Sequence, residues 1–317
     1  MATHVDSPHG AGGPSARAAI AARTAVGSGR AAPRLTAVIK ATREAPLVPV
    51  VILGGLMLIA IFANLIAPYD PTLPVKGANM FDPPFWMEGG RSATPLGTDF
   101  QGRDILSRLI HGARVSLIVG LMGTLVAGGI GTAMGILSGY VGGWVDQIIM
   151  RVTDAWLALP AIVFAIFLAA MIGPSMWNIV AILGGVYWTR YARVIRGEVL
   201  TLREREFVKL AEIAGAGKWR VIKRHILPNV MNTATVLASL TVGVVIIAEA
   251  SLSFLGVGVP PPQPAWGLML SEARSTLMAG QWWLTVFPGA CILLIVLATQ
   301  LFGDWLRVKL DPQSRNL

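Results

Sequence analysis

Long runs of uncharged residues alternate along this chain with short charged segments. A helix needs about 20 residues to cross about 30 Å of hydrocarbon, and four of the runs each contain one such stretch. They are 45–69, 115–145, 226–248 and 275–303. A fifth run, 155–189, is longer than one crossing requires and carries Gly173-Pro174-Ser175 near its middle, a combination typical of a turn. The pattern therefore predicts six transmembrane helices.

A different pattern occupies residues 203–227, between the predicted fourth and fifth helices. This segment is charged, yet its apolar residues recur at helical spacing on both sides of a turn: Phe207, Leu210, Ala211 and Ala214 before it, and Trp219, Ile222 and Ile226 after it. The turn is Gly215-Ala216-Gly217, where glycine permits a positive φ and a close approach of another surface. The segment is predicted to form two short amphipathic helices joined by a glycine turn, which we call the hairpin. Pro228 is predicted to lie at the start of the fifth crossing.

Composition supports the interpretation as a membrane protein. Hydrophobic residues make up 54% of the chain and charged residues only 14%, and the mean hydropathy is +0.63. If the N-terminus lies inside, 20 of the 26 lysines and arginines fall on the inner side of the six predicted helices. This bias predicts that both termini are cytoplasmic, and it explains the net charge of +9 without nucleic-acid binding.

The same pattern divides the chain into five parts. We expect a disordered cytoplasmic tail, a first transmembrane helix, an extracytoplasmic segment, a transmembrane core that contains the hairpin, and a second cytoplasmic tail: 1–44, 45–69, 70–112, 113–306 and 307–317. A cleavable signal peptide is not predicted, because the first apolar run begins near residue 45 and is long enough to span. The single cysteine, Cys291, excludes a disulfide within the chain.

Two interpretations of the predicted hairpin remain open from its residues alone. Its basic residues could hold it on anionic lipid headgroups, where each charge contributes about 1 kcal/mol. Alternatively, its apolar face could insert into a groove on a cytoplasmic partner protein. Composition and spacing fit both interpretations equally well.

The hairpin also resembles the coupling motif of ABC importer permeases, in which a short helix pair with a glycine turn, followed by Leu-Pro, docks onto the ATPase. Ala211, Gly215 and Leu227-Pro228 match that motif in spacing. The motif usually opens with Glu-Ala-Ala, whereas this chain has Lys209-Leu210-Ala211, so no contact is assigned to its first position. The resemblance implies that the ATPase-coupling residues are these: Ala211, Gly215, Ala216, Gly217, Leu227 and Pro228.

Three further segments narrow the resemblance. Residues 95–117, 142–160 and 249–267 are similar to characteristic segments of the second permease subunit of dipeptide and oligopeptide importers, so that the resemblance covers roughly 45–312. It implies an all-α protein of a bacterial inner membrane with six transmembrane helices. The implied partners are a homologous second permease, two ATPase subunits or domains, an extracytoplasmic substrate-binding protein and membrane lipid.

No energy source is predicted within the chain. The stretch 215–219 has the Gly-Lys of a phosphate loop, but that motif requires glycine where Glu212 stands and Ser or Thr where Trp219 stands. The chain is therefore expected to hold no cofactor and no metal and to be no enzyme, with ATP and Mg²⁺ bound by the partner ATPases. Import of nickel, glycosides or another small solute is the alternative within the family.

Other classes of function are less well supported by the residues. An ion-coupled transporter would place an acid, His or Lys near the bilayer midplane, and the uncharged runs contain none well inside. A channel needs no charged side chain, although no stretch resembles a selectivity filter. An intramembrane enzyme is not indicated either, because the four histidines show no metal spacing.

A few polar and glycine residues are candidates for the substrate path, a gate or helix packing. Glu249 ends the fifth crossing. It could contact substrate there, but the simpler expectation is a hydrogen bond to the turn 251–256 or to a partner. Asp99, Arg103 and Asp104 are expected to be paired in a folded cap near the substrate entrance. At the inner boundary we expect ion pairs from Asp146, Arg151 and Asp154. We expect close helix packing along Gly128, Gly131 and Gly135.

Overall fold

The computed structural model describes residues 46–310, and the regular structure in this range is helical apart from one isolated bridge between Thr98 and Asp104. The described helices are α1 Leu47–Ile61, α2 Ala63–Ile66, α3 Ile105–Val141, α4 Gly143–Leu157, α5 Ala161–Ile172, α6 Met176–Arg203, α7 Glu206–Ile213, α8 Lys218–Val221, α9 Leu227–Phe254, α10 Trp266–Ala273 and α11 Trp283–Leu310. A π-helical turn, Ile222–Ile226, joins α8 to α9, and a 3₁₀ turn, Leu277–Ala279, precedes α11. The predicted tail 1–44 and all but four residues of the tail 307–317 lie outside the described residues.

Within residues 46–310, three helices are long and apolar enough to cross a membrane: Ile105–Val141, Lys218–Phe254 and Trp283–Leu310. A fourth candidate is the pair formed by α4 and α5, which bends by 90°. Helix α1 has 15 residues and is shorter than a usual crossing. The fold is therefore all-α with three or four apolar spans of sufficient length, and the prediction of six crossings goes beyond this count.

The long run 155–189 is divided at two places, of which the sequence pattern identified only one. The turn at Gly173 is present, with φ of +94°. A second break separates α4 from α5 just before Ala161, because Pro160 has no N–H with which to continue the α4 hydrogen bonds. Helix α5 has only 12 residues as a result, so the predicted single crossing from residue 155 is wrong in its start and in its length.

Helix α3 begins ten residues before the uncharged run that predicted it. Its N-cap is Asp104, whose carboxylate accepts a 2.8 Å hydrogen bond from the Ser107 backbone N–H. Because this cap stabilises the first turn, charged residues such as Arg108 lie inside the helix rather than in the loop before it. Part of the predicted extracytoplasmic segment 70–112 is therefore helical.

Glycines bring α3 and α6 into close contact. A methyl group at Gly135 would lie 2.8 Å from the Ala192 carbonyl oxygen, and one at Gly139 would lie 2.8 Å from the Val199 Cβ. Gly131 lies as closely against Trp188 and Tyr191 on the same face of α6, and Gly128 approaches the Tyr191 ring. The prediction of close packing along this glycine stripe is confirmed, and any larger residue would force the two helices apart.

The opposite side of the fold is built around the indole of Trp266 in α10. Its Nε1 donates a 3.0 Å hydrogen bond to the Leu109 carbonyl oxygen, and the ring fills the space beside Gly112 of α3. Ile246 of α9 and Ile295 of α11 are fully buried in the same cluster. Helix α10 is thus fixed against α3, α9 and α11.

Candidate functional site

The glycine turn of the hairpin has the geometry expected from its residues. Gly215 has φ of +81°, the left-handed region that favours glycine, and its N–H donates to the Glu212 carbonyl oxygen at 2.9 Å. The Ala216 N–H closes the turn by donating to the Ala211 carbonyl oxygen at 3.0 Å. A methyl group at Gly215 would meet no atom of residues 46–310 within 4 Å, so the tip of the turn is open to a partner surface.

The second half of the hairpin differs from the prediction. Helix α8 has only four residues and continues through the π-helical turn into α9, so that Lys218–Phe254 forms one helix of 37 residues. The predicted second short helix is therefore the first part of this long helix. Leu227 and Pro228 follow directly on the π-helical turn, so Pro228 lies inside the continuous helix and not at its free start, where it was predicted to lie.

The hairpin packs three apolar residues against the helix bundle and leaves four others exposed. Val208, Val221 and Ile226 are fully buried against α3 and α6, in a cluster with Ile136 and Ile195. Of the apolar residues that spacing placed on one face, Phe207, Leu210 and Trp219 are exposed, whereas Ile226 is buried. The exposed residues, which we call the hairpin face, are Phe207, Leu210 (64% exposed), Ile213 (82% exposed) and Trp219 (73% exposed).

One polar contact fixes the hairpin to the bundle. The Tyr140 hydroxyl, at the end of α3, donates a 2.9 Å hydrogen bond to the Glu212 carboxylate in α7. A second pair, Lys209 with Glu204 at 2.8 Å, is exposed and contributes little to stability. Together with the buried valines, the Tyr140 contact holds the hairpin face outward in a defined orientation.

Four charged side chains form a buried group at the other end of the molecule, which we call the polar cluster: Asp99, Arg103, Arg108 and Glu272. The Arg103 Nε donates to Asp99 at 2.6 Å, and Arg108 also contacts Asp99. Glu272 of α10 accepts from Arg108 at 2.7 Å and lies 3.3 Å from the Arg103 Nη2. Two positive and two negative side chains thus neutralise one another between the loop before α3 and α10.

The predicted pairing of this region is confirmed only in part. Asp99 and Arg103 form a pair, whereas Asp104 caps α3 instead of meeting an arginine. Burial raises the pKa of Asp104, and hydrogen bonds from Ser107 oppose that rise. The sequence pattern did not predict that Arg108 and Glu272 belong to this cluster. The signal for it was weak: each is a charged residue beside an apolar run.

Glu249 is completely buried near the end of α9. Its carboxylate accepts hydrogen bonds from the Ser116 hydroxyl at 3.2 Å and from the Ser253 hydroxyl at 2.8 Å. The Ser253 oxygen in turn accepts from the Val259 N–H at 3.1 Å, which fixes the turn after α9. These contacts are within the chain, and they match the simpler of the two roles expected for Glu249.

The acids at the predicted inner boundary pair with α6. Asp146 accepts two hydrogen bonds from Arg196, at 2.5 and 2.6 Å, and a further one from Ser138. Asp154 accepts from Arg193 at 2.7 Å. Arg151, which was also expected to pair, makes no ion pair with any residue in the range 46–310.

An apolar groove of about 780 Å³ lies between α3 and α9. Gly128 and Gly129 of α3 form part of its floor, and Trp219 and Ile222 lie at the end nearest the hairpin. The Thr124 hydroxyl is buried on its wall and has no hydrogen-bond partner among residues 46–310. The groove therefore reaches from the middle of α3 to the hairpin.

No group of three or more His, Cys, Asp or Glu residues with a metal-binding arrangement occurs in the part of the chain that the structure describes. The acids described above contact arginine, lysine, serine or tyrosine side chains of the chain.

Comparison with known proteins gives consistent matches over most of the chain. Residues 131–316 match the family described as binding-protein-dependent transport system inner membrane component. The di/tripeptide transport system permease protein of Pseudomonas aeruginosa is 42% identical, over 83% of this chain and 88% of its own length. The dipeptide permease protein of Escherichia coli is 46% identical (82% and 86%), and the glutathione permease protein of Pectobacterium atrosepticum is 42% identical (82% and 84%).

Proposed function

Because this chain belongs to the family of binding-protein-dependent transport system inner membrane components, we propose that it is the permease subunit of an ATP-driven ABC importer of short peptides. It is a multi-pass protein of the inner membrane. The observation that carries the proposal is the 42 to 46% identity, over more than four fifths of the chain, to permeases named for dipeptide, di/tripeptide and glutathione transport.

The proposed topology has six crossings with both termini in the cytoplasm. The three long apolar helices and the bent pair α4–α5 supply four of them, and α1 and α6 supply the others. Residues 197–227 then face the cytoplasm and 70–112 face outward. A cysteine at Ser92 or Ser314, in a Cys291→Ser background, tests this with an impermeant reagent in intact cells. Labelling at Ser92 and protection at Ser314 are expected, and the reverse pattern would invert the orientation.

The hairpin is proposed to dock onto a cytoplasmic ATPase that binds ATP and Mg²⁺. Its exposed hairpin face supports this, because apolar side chains such as Leu210 and Ile213 are held outward by buried neighbours and gain stability when a partner covers them. The coupling contacts are proposed to be Ala211, Gly215, Ala216 and Gly217 at the turn, with Leu227 and Pro228 carrying the motion into α9. Two ATPase subunits or domains serve the complete importer.

The groove between α3 and α9 is proposed as this chain's share of the translocation path, completed by a homologous second permease. An extracytoplasmic binding protein delivers the substrate to the outer side. There Asp99 and Arg103 of the polar cluster, with Asp104, shape the entrance through the loop before α3. Glu249 stabilises the outer end of α9 through Ser116 and Ser253 instead of contacting substrate.

Purification in mild detergent, followed by identification of the chains that copurify, tests the proposal. A second permease and an ATPase are expected, and the rigorously separated chain should hydrolyse no ATP, because it lacks a phosphate loop. Peptide uptake by liposomes that contain only this chain, without ATP, would overturn the proposal in favour of an ion-coupled carrier. Uptake of nickel or a glycoside, but of no peptide, would change the substrate alone.

A further inference from the structure

A second cavity, separate from the groove, lies where the ends of three helices meet. Its volume is about 450 Å³, within the range of about 300–1,000 Å³ that is typical of small-molecule sites. It lies between the end of α6, the beginning of α9 and the end of α11, and under the proposed topology it opens to the cytoplasm. Its polar lining includes Glu198, Thr201, Arg205, Asn232, Thr233 and Arg307.

Glu198 is the inner polar group of this cavity. One of its carboxylate oxygens, Oε2, is buried and has no hydrogen-bond partner among residues 46–310. A buried acceptor without a partner is unfavourable and is rare in folded proteins. The cavity therefore has a position at which a donor, and above all a cationic donor, would be stabilised.

The rim of the cavity has the opposite charge. Arg205, just before α7, and Arg307, in the last turn of α11, are both exposed and form no ion pair with any other residue in the range 46–310. Asn229 lies beside them and uses its amide N–H on the His225 carbonyl oxygen at 2.6 Å, so its own oxygen is left as a further acceptor. The site thus presents a negative interior and a positive rim.

We propose that this cavity binds the free ends of a short peptide, with the peptide ammonium on Glu198 and the peptide carboxylate on Arg205 and Arg307. The inference rests on the proposed function, since it takes the transported class of solute as the ligand on the side where transport delivers it. The site would then respond to peptide that has accumulated in the cytoplasm.

Other small ligands fit the charges less well. A simple anion or an anionic lipid headgroup would be attracted by the two arginines but repelled by Glu198 in the interior. A divalent cation would find only one carboxylate in the cavity, whereas Mg²⁺ and Ca²⁺ prefer several oxygen ligands. A zwitterion satisfies both charges at once, and each guanidinium can hold a carboxylate with two hydrogen bonds.

Calorimetry on the permeases and ATPases in lipid nanodiscs, without the extracytoplasmic binding protein, tests the proposal with three ligands. They are Ala-Ala, N-acetyl-Ala-Ala, which has no ammonium, and Ala-Ala-amide, which has no carboxylate. Ala-Ala is expected to bind, and Glu198→Gln should weaken that binding at least tenfold. N-acetyl-Ala-Ala should bind weakly and equally to both proteins. Arg307→Gln should weaken Ala-Ala but not Ala-Ala-amide, and this second variant keeps the test decisive if Glu198→Gln folds poorly.

The matched control is Asp154→Asn, which removes an exposed acid outside the cavity and should leave Ala-Ala binding unchanged. Binding of Ala-Ala to Glu198→Gln within twofold of the unsubstituted protein, or an equal loss in Asp154→Asn, would overturn the site. ATP-driven peptide uptake, measured in parallel, separates the two proposals. If the importer takes up peptide but Ala-Ala binding does not depend on Glu198, the site is refuted and the proposed function stands. If Ala-Ala binding depends on Glu198 but no peptide is taken up, the proposed function is refuted and the site stands.

Discussion

The polar cluster lies near the start of α3 and the hairpin face lies near its end. The two regions contrast in whether their side chains find partners within the chain. In the polar cluster, Asp99 and Glu272 are neutralised by Arg103 and Arg108, and all four are largely shielded from solvent. In the hairpin, apolar side chains such as Ile213 are exposed even though Val208, in the same helix, is fully buried. The charges of the polar cluster are paired within the chain, whereas residues 46–310 leave the apolar side chains of the hairpin face uncovered.

This difference distinguishes the groups that stabilise the fold from the groups that can bind a partner. A buried charge must find its partner inside the same fold, because leaving it alone in a low-dielectric site is costly. Exposed apolar groups carry a smaller cost in the single chain and become favourable only when another surface covers them. The polar cluster is therefore expected to control stability, and the hairpin face is expected to control the association with a partner.

The largest expected effect comes from breaking the polar cluster. Arg108→Met leaves two carboxylates with one arginine, and the free energy of unfolding should fall by about 3–5 kcal/mol. Thermal unfolding of the purified chain in detergent measures this loss. The matched control is Arg193→Met, which removes the exposed pair with Asp154 and should cost about 0–1 kcal/mol. Equal losses in the two variants would show that the cluster has no special role.

The next effect distinguishes the two faces of α7. Val208→Ser removes a fully buried side chain and should destabilise the hairpin by about 2 kcal/mol, seen as faster amide exchange in α7. Ile213→Ser should leave amide exchange unchanged, because the side chain is exposed, but should reduce the amount of ATPase that copurifies. Retention of the ATPase in full by Ile213→Ser would contradict the docking of this face.

A smaller change, at the turn, tests docking against lipid binding. Gly215→Asp adds bulk and a charge that must be desolvated at a contact, and aspartate tolerates the positive φ at a modest cost. Peptide uptake and ATPase retention should fall at least tenfold, while the crossings still insert. The comparison is Lys218→Gln with Lys223→Gln, which reduces attraction to anionic lipid. Loss of uptake in the double variant alone would indicate that the hairpin is a membrane anchor.

The smallest effect is expected at the exposed pair of Glu204 with Lys209. A hydrogen bond from Lys209 lowers the pKa of Glu204, so the pair contributes at neutral pH and loses its contribution as the pH falls below the usual glutamate range. Because both side chains are exposed, Glu204→Gln should not measurably change the unfolding temperature at pH 7. A clear decrease would mean that exposed pairs in the hairpin matter as much as buried ones.

The sequence pattern predicted the parts of the fold that depend on local composition. The uncharged runs correspond to the long helices α3, α9 and α11, and the stripe of Gly131 and Gly135 indicated a close helix contact. The turn at Gly215 was predicted because glycine permits the positive φ that such a turn requires. Each of these features depends on the order of nearby residues and so can be read from the chain.

The features that the pattern missed depend on distant residues. Arg108 and Glu272 are separated by 164 positions, and only the fold brings them together. The burial of Val208 in α7 was not predicted, because spacing groups Phe207 with Leu210 on one face but does not show what covers either face. The break before Ala161 was not predicted, because Pro160 lies inside an apolar run and no change in polarity marks it.

The continuous helix from Lys218 to Phe254 has a mechanical consequence. With about 1.5 Å per residue, its 37 residues measure about 55 Å, so it acts as a stiff rod between the hairpin and the far end that holds Glu249. A push along its axis at Trp219 is transmitted to the other end with little compression, because backbone hydrogen bonds join successive turns of the helix. The π-helical turn Ile222–Ile226 changes that bonding register, and it is therefore where bending of the rod would concentrate.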